Sequence, residues 1–76
     1  MSITGAQIRA ARALLRWPAE ELAARSGVGL ATVRRAEAHD GDPRTTGANL
    51  TAIERALAEA GVEFIGDQGV TLRVPK

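Results

Sequence analysis

"SGVGLATVRRAE", residues 26–37, decides how the chain is read. Gly27 and Gly29 bracket Val28, and an apolar and polar mixture then runs into Arg34 and Arg35. Glycine enters positive φ without steric penalty, so Ser26-Gly27-Val28 predicts a tight turn with Val28 plugging the core. From about Leu30 to Ala38 the spacing predicts a short helix. At 100° per residue, Leu30, Ala31, Arg34 and Arg35 fall within one arc, with Thr32, Val33 and Ala36 opposite. The second arc faces inward. The first presents two apolar contacts near the helix start and two guanidinium groups a turn later. A short helix aimed outward by a glycine turn has the shape that a DNA major groove admits. A solvated arginine face is the other reading of the same pair.

Upstream, "GAQIRAARALLR" (5–16) predicts a helix capped by Thr4. Ile8, Ala11, Leu14 and Leu15 form its apolar spacing; Arg9, Arg12 and Arg16 line another side. Pro18 ends it and is expected as the first residue of the next helix, "PAEELAAR". There Glu20 and Glu21 favour the helix dipole, and Leu22 and Ala23 face inward. Downstream, "HDGDP" is a loop. A fourth helix is expected over 47–60, capped by Thr46 and ended by Gly61, with Leu50, Ile53, Leu57 and Ala60 on its inner stripe. "VEFI" and "VTLRV", separated by a four-residue loop "GDQG", then predict a β-hairpin.

Seventy-six residues make a small unit. The division expected is a helical part, 1–61, and a hairpin, 62–76. There is no cysteine and one histidine, so neither a disulfide nor a protein-only zinc site is expected. Trp17 and Phe64 are the only aromatics, which leaves a core of Ala, Leu, Ile and Val. No apolar run approaches the roughly 20 residues of a membrane span, and no secretory signal pattern opens the chain. A cytoplasmic protein without a membrane partner is the expectation. Net charge is +1, yet residues 1–44 hold seven arginines against five acids. Nine of the ten basic residues are arginine, which suits bidentate contact with phosphate or guanine and is also what a GC-rich genome supplies. No nucleophile–base pair or phosphate-binding glycine loop is present, so no enzyme and no cofactor are expected.

The run "IRAARALLRWPAEELAARSGVGLATVRRAE" resembles the XRE (Cro and lambda-repressor-like) helix-turn-helix family. "EELA" (20–23) resembles the first helix of its motif, "SGV" (26–28) its turn, "TVRRAE" (32–37) the core of its recognition helix, and "NLTAIERALAEAGV" (49–62) the helix after it. The resemblance covers about residues 5–62. It implies a mainly α, lambda-repressor-like four-helix domain, here followed by a β-hairpin. The function it implies is sequence-specific binding of duplex DNA as a homodimeric transcriptional regulator, most often a repressor on an inverted-repeat operator. Carried over, the base-reading positions fall on Leu30, Ala31, Arg34 and Arg35. Thr32, Arg44 and Thr46 match backbone-contacting positions. Arg12 and Glu37 match a structural ion pair, with phosphate contact the alternative for Arg12.

Three features depart from the family pattern. Pro18 and Ala19 stand where a hydroxyl or amide cap and a phosphate-holding Gln are usual. Gly29 stands where a hydroxyl cap is usual. A hairpin replaces a further helix, and its apolar residues Val62, Phe64, Val70, Leu72 and Val74 are expected to form the dimer interface. The competing expectation is a protein-interaction module, such as an antitoxin or adaptor, built on the same scaffold.

Overall fold

The computed structural model describes residues 3–73. Its order is α1 (Gly5–Leu15), α2 (Ala19–Ser26), α3 (Leu30–Glu37), α4 (Gly47–Glu59), β1 (Val62–Ile65) and β2 (Gly69–Leu72). The chain is mostly helical, and its two strands form an antiparallel hairpin with Val62 opposite Leu72 and Phe64 opposite Val70.

Local chemistry accounts for each boundary. Thr4 and Gln7 close a capping box: the Gln7 amide donates to Thr4 Oγ1 and the Thr4 amide to Gln7 Oε1. Arg16, in the left-handed region at φ 58°, ends α1. Pro18 is the extended N-cap of α2 and not its first residue: its carbonyl receives the Glu21 amide at 3.0 Å, and its own conformation stays outside the helix. Gly27, at φ 74°, ends α2 and returns its N–H to Ala23. Thr46 caps α4 by accepting from the Asn49 amide.

The core is aliphatic, centred on Ile8, Leu22, Val33, Ile53 and Leu57, all fully buried. Val28 plugs it directly after the Gly27 turn. Two inward expectations fail. Leu14 is 42% exposed. It lies two turns beyond Gln7 on one flank of α1, and the hairpin that covers Gln7 does not extend over it. Ala60 is only half-buried because it has become the C-cap of α4, which ends at Glu59.

The hairpin shares the core. Val62 is 2% exposed, and Phe64, Val70 and Leu72 pack half-buried against the same cluster. Gln7, fully buried, pins the turn by donating from Nε2 to the carbonyls of Gly66 (3.0 Å) and Gly69 (2.9 Å). The loop is Gly66-Asp67-Gln68, one residue shorter than expected, because Gly69 pairs with Ile65. Gly66 opens the loop at φ 60°, a conformation glycine enters without steric penalty.

At the same end of α1, the Gly5 amide donates to Gly41 O at 2.8 Å and the Ala6 amide to Asp40 O at 3.3 Å. The loop after α3 thus satisfies donors that a helix start leaves free. The approach leaves no room for a side chain: a Cβ on Gly5 would lie 1.8 Å from the His39 carbonyl oxygen. Gly5→Ala is expected to destabilise by about 3 kcal/mol or more, at or beyond the usual range for overpacking, because the obstruction is backbone. Gly41→Ala, with nothing near its Cβ position, should stay within about 0.5 kcal/mol. Urea denaturation of the two variants checks both.

Candidate nucleic-acid interface

Around α3, accessibility divides as the wheel predicts except at Thr32, expected inward, and Leu30, expected outward, both of which are half-buried. Val33, Ala36 and Glu37 are buried; Ala31, Arg34, Arg35 and Ala38 are exposed; Leu30 and Thr32 lie between. Ala38, the helix C-cap, completes the outer arc and was not singled out from sequence. Its position at 80° on the same wheel is the signal that would have found it. Gly29 is an extended N-cap whose backbone offers no side-chain acceptor, so nothing on that residue covers the helix start. The arginines sit in the last turn, where the helix dipole favours cations.

The guanidinium groups are held differently. Arg35 Nη2 donates to Thr32 Oγ1 at 3.3 Å, one turn back on the same helix. Arg34 Nη2 meets Glu20 Oε2 at 3.1 Å, across from α3 to the first turn of α2. Both side chains of that pair are about 60% exposed. Arg44 is exposed, adopts φ 57°, and donates its amide to Asp42 Oδ1 at 3.0 Å. Thr46 is exposed at the start of α4. The base-contact and backbone-contact candidates therefore include five exposed side chains, Ala31, Arg34 and Arg35 on α3, Arg44 in the following loop and Thr46 at the α4 cap, with Leu30 and Thr32 more covered.

The α3 face is fixed in place by Arg12 and Glu37. Arg12 Nε donates to Glu37 Oε2 at 2.6 Å and Nη2 to Oε1 at 2.8 Å, a bidentate pair. The third guanidinium nitrogen donates to the Trp17 carbonyl at 2.7 Å. The Glu37 side chain is 8% exposed and that of Arg12 22%. The hydrogen bond to Glu37 raises the Arg12 pKa against the opposing effect of burial, so the guanidinium remains charged. Arg12 is thus turned into the protein and is not a surface phosphate contact. Arg9, unassigned from sequence, adds a second tie: it donates to the Glu37 carbonyl and pairs with Asp40. Trp17 lies under Arg25, whose guanidinium carbon is 4.9 Å from the ring centroid, and packs half-buried on the core.

The described residues expected at a dimer interface pack, wholly or in part, on the core of their own chain. Val62 belongs to the core of its own chain, which corrects that assignment. Phe64, Val70 and Leu72 turn their apolar surface the same way. Burial within one chain meets the need that motivated the expectation, since a hairpin must pack on something. Val74 lies outside the described residues. The outer face of the hairpin carries Glu63, Ile65 and Thr71, with Arg73 following at 3.6 Å from Glu63; Ile65 is 58% exposed.

Among the described residues no cluster of three His, Cys, Asp or Glu side chains could hold a metal ion, and no helix is long and apolar enough to cross a membrane. Compared with known protein families, curated proteins and solved structures, the chain gives no match.

Breaking the Arg12–Glu37 pair should cost far more than the roughly 0–1 kcal/mol of an exposed ion pair and approach the about 3–5 kcal/mol of a buried one. Glu37→Ala strands a guanidinium between two helices. A thermal melt that moves by less than a few degrees would contradict this placement.

Proposed function

We propose that this chain is a sequence-specific duplex-DNA-binding transcriptional regulator of the lambda-repressor-like helix-turn-helix type, acting as a homodimeric repressor on an inverted-repeat operator. The carrying observation is the outward arc of α3, with Ala31, Arg34, Arg35 and Ala38 exposed while Val33, Ala36 and Glu37 anchor the other side. The Gly27 turn sets α3 against α2, and Arg12 prevents it from rocking on α1. In this reading α3 enters the major groove. Arg35 grips guanine, Leu30 and Ala31 meet thymine methyl groups, and Thr32, Arg44 and Thr46 touch the sugar–phosphate backbone. The sequence resemblance in residues 5–62 supports the same reading.

A second copy would join through the outer face of the hairpin and its unpaired edges, where Ile65 is exposed. The two α3 helices would then meet half-sites about one DNA turn, ~34 Å, or a multiple of it apart. One observation favours the alternative, a protein-interaction module: the Arg34–Glu20 pair neutralises one of the two exposed α3 cations.

The deciding experiment is selection of bound sequences from a randomised duplex pool, followed by titration at rising salt. Affinity should fall steeply with salt because phosphate contacts release counterions. Arg35→Ala should cost about 1–3 kcal/mol and relax selectivity at one or two base pairs; Arg44→Ala should weaken all duplexes about equally. Salt-independent binding, or an Arg35→Ala protein with intact affinity and selectivity, contradicts the proposal. For assembly, Ile65→Glu leaves the core untouched and should yield a monomer in sedimentation; an unchanged dimer excludes the hairpin's outer face.

A further inference from the structure

The geometry points to Glu20 as a specificity-determining residue of the α3 face, one that together with Arg34 reads a G·C pair while suppressing binding to bare phosphate. The inference rests on the DNA-binding reading and deepens it. Of the two acids in the first turn of α2, Glu21 is taken within its own helix by Arg25 at 2.7 Å. Glu20 reaches instead to Arg34 on the neighbouring helix at 3.1 Å. Both partners stand about 60% exposed, and Arg34 is flanked along the outer arc by Ala31 and Ala38, whose small side chains leave the pair clear.

Exposed ion pairs do little for folding, and the α2 dipole that Glu20 and Glu21 both favour needs no partner on α3, so stability does not account for the reach of Glu20 to Arg34. Its consequence lies in what the pair can bind. Against phosphate the pair carries no net charge, and the carboxylate repels the backbone. Against base edges in the major groove the two groups are complementary. A guanidinium donates to guanine O6 and N7, and a carboxylate accepts from the cytosine N4 amino group. Both charges find partners on a G·C pair or on two adjacent ones, and neither does on an A·T pair as well. An acid that lowers affinity for every duplex but one class of sequence raises the ratio between them, which is how selectivity is obtained from repulsion.

Glu20→Gln tests this. The measurement compares a duplex selected by the native protein with the unselected random pool, each titrated over a range of salt. Freed from its partner, Arg34 should neutralise one further phosphate, so the salt slope steepens by about one and random-pool binding tightens several-fold. The selected-to-random ratio should fall about tenfold, the low end for one base-edge contact. Glu21→Gln changes net charge equally, in the same helical turn, and should leave the ratio unchanged. The thermal midpoint of Glu20→Gln should move about as little as that of Glu21→Gln, since each loses one first-turn charge and one exposed partner. An unaltered ratio for Glu20→Gln, or an equal fall for Glu21→Gln, overturns the role of Glu20 while leaving DNA binding intact. A native protein that enriches no sequence and binds duplex without salt dependence overturns the DNA-binding reading, and this inference with it.

Discussion

The bidentate pair of Arg12 and Glu37 is the constraint on which the rest of the arrangement depends. One guanidinium ties the last turn of α1 to the last residue of α3 and, through the Trp17 carbonyl, to the connection that launches α2. Three elements therefore converge on a single planar cation with five fixed donors, a geometry that lysine could not reproduce. Leu22, Val33 and Ala36 supply apolar contact around that point, but contact alone tolerates rotation of a short helix about its axis. A buried charge does not, because any rotation that separates the partners leaves each one desolvated and unpaired. The side of α3 that meets solvent is thereby set by an interaction on its opposite side.

The same logic explains why so few aromatic side chains suffice. The buried residues are aliphatic and small, and polar groups close the gaps where elements meet. Gln7 spends all its capacity on the Thr4 amide and two hairpin carbonyls, and the amides of Gly5 and Ala6 are met by the loop after α3. Among the described residues, no buried side-chain nitrogen or oxygen lacks a partner. The junctions of α1 with the hairpin and with the loop after α3 are thus specified by directional bonds, and apolar packing fills what lies between them.

Sequence patterning revealed the elements and the outward arc of α3 because those depend on period and on local chemistry. Gly27 needed to be at positive φ, Thr4 and Thr46 had hydroxyls where caps belong, and the 100° wheel separated Val33 from Arg34 without knowledge of any neighbour. What escaped depended on partners distant in sequence. Leu14 reads as core on its own helix, and only the extent of the hairpin decides that it is not. Gln7 reads as surface until the hairpin turn is placed over it. Glu20 reads as one of two acids serving a helix dipole, and nothing local distinguishes it from Glu21. The tie to Arg34 spans fourteen residues, and it exists because the Gly27 turn folds α3 back across the start of α2. The hairpin's inward residues were legible as apolar, but pattern alone does not say whether an apolar face closes its own chain or another.

Within the chain, the two-residue period of the strands separates two faces. Val62, Phe64, Val70 and Leu72 share one face, Val62 within the core and the others half-buried against it; Glu63, Ile65 and Thr71 share the other. A substitution on the outer face changes what the hairpin offers to a second molecule without opening a cavity beneath it. A substitution on the inner face does the reverse. Deleting the whole hairpin conflates the two, because it also removes the acceptors of Gln7 and uncovers Ile8 and its neighbours. Assembly and folding are therefore separable in this protein only residue by residue, with Ile65 and Val62 as the two ends of the distinction: one exposed at 58%, the other at 2%, three positions apart on the same strand.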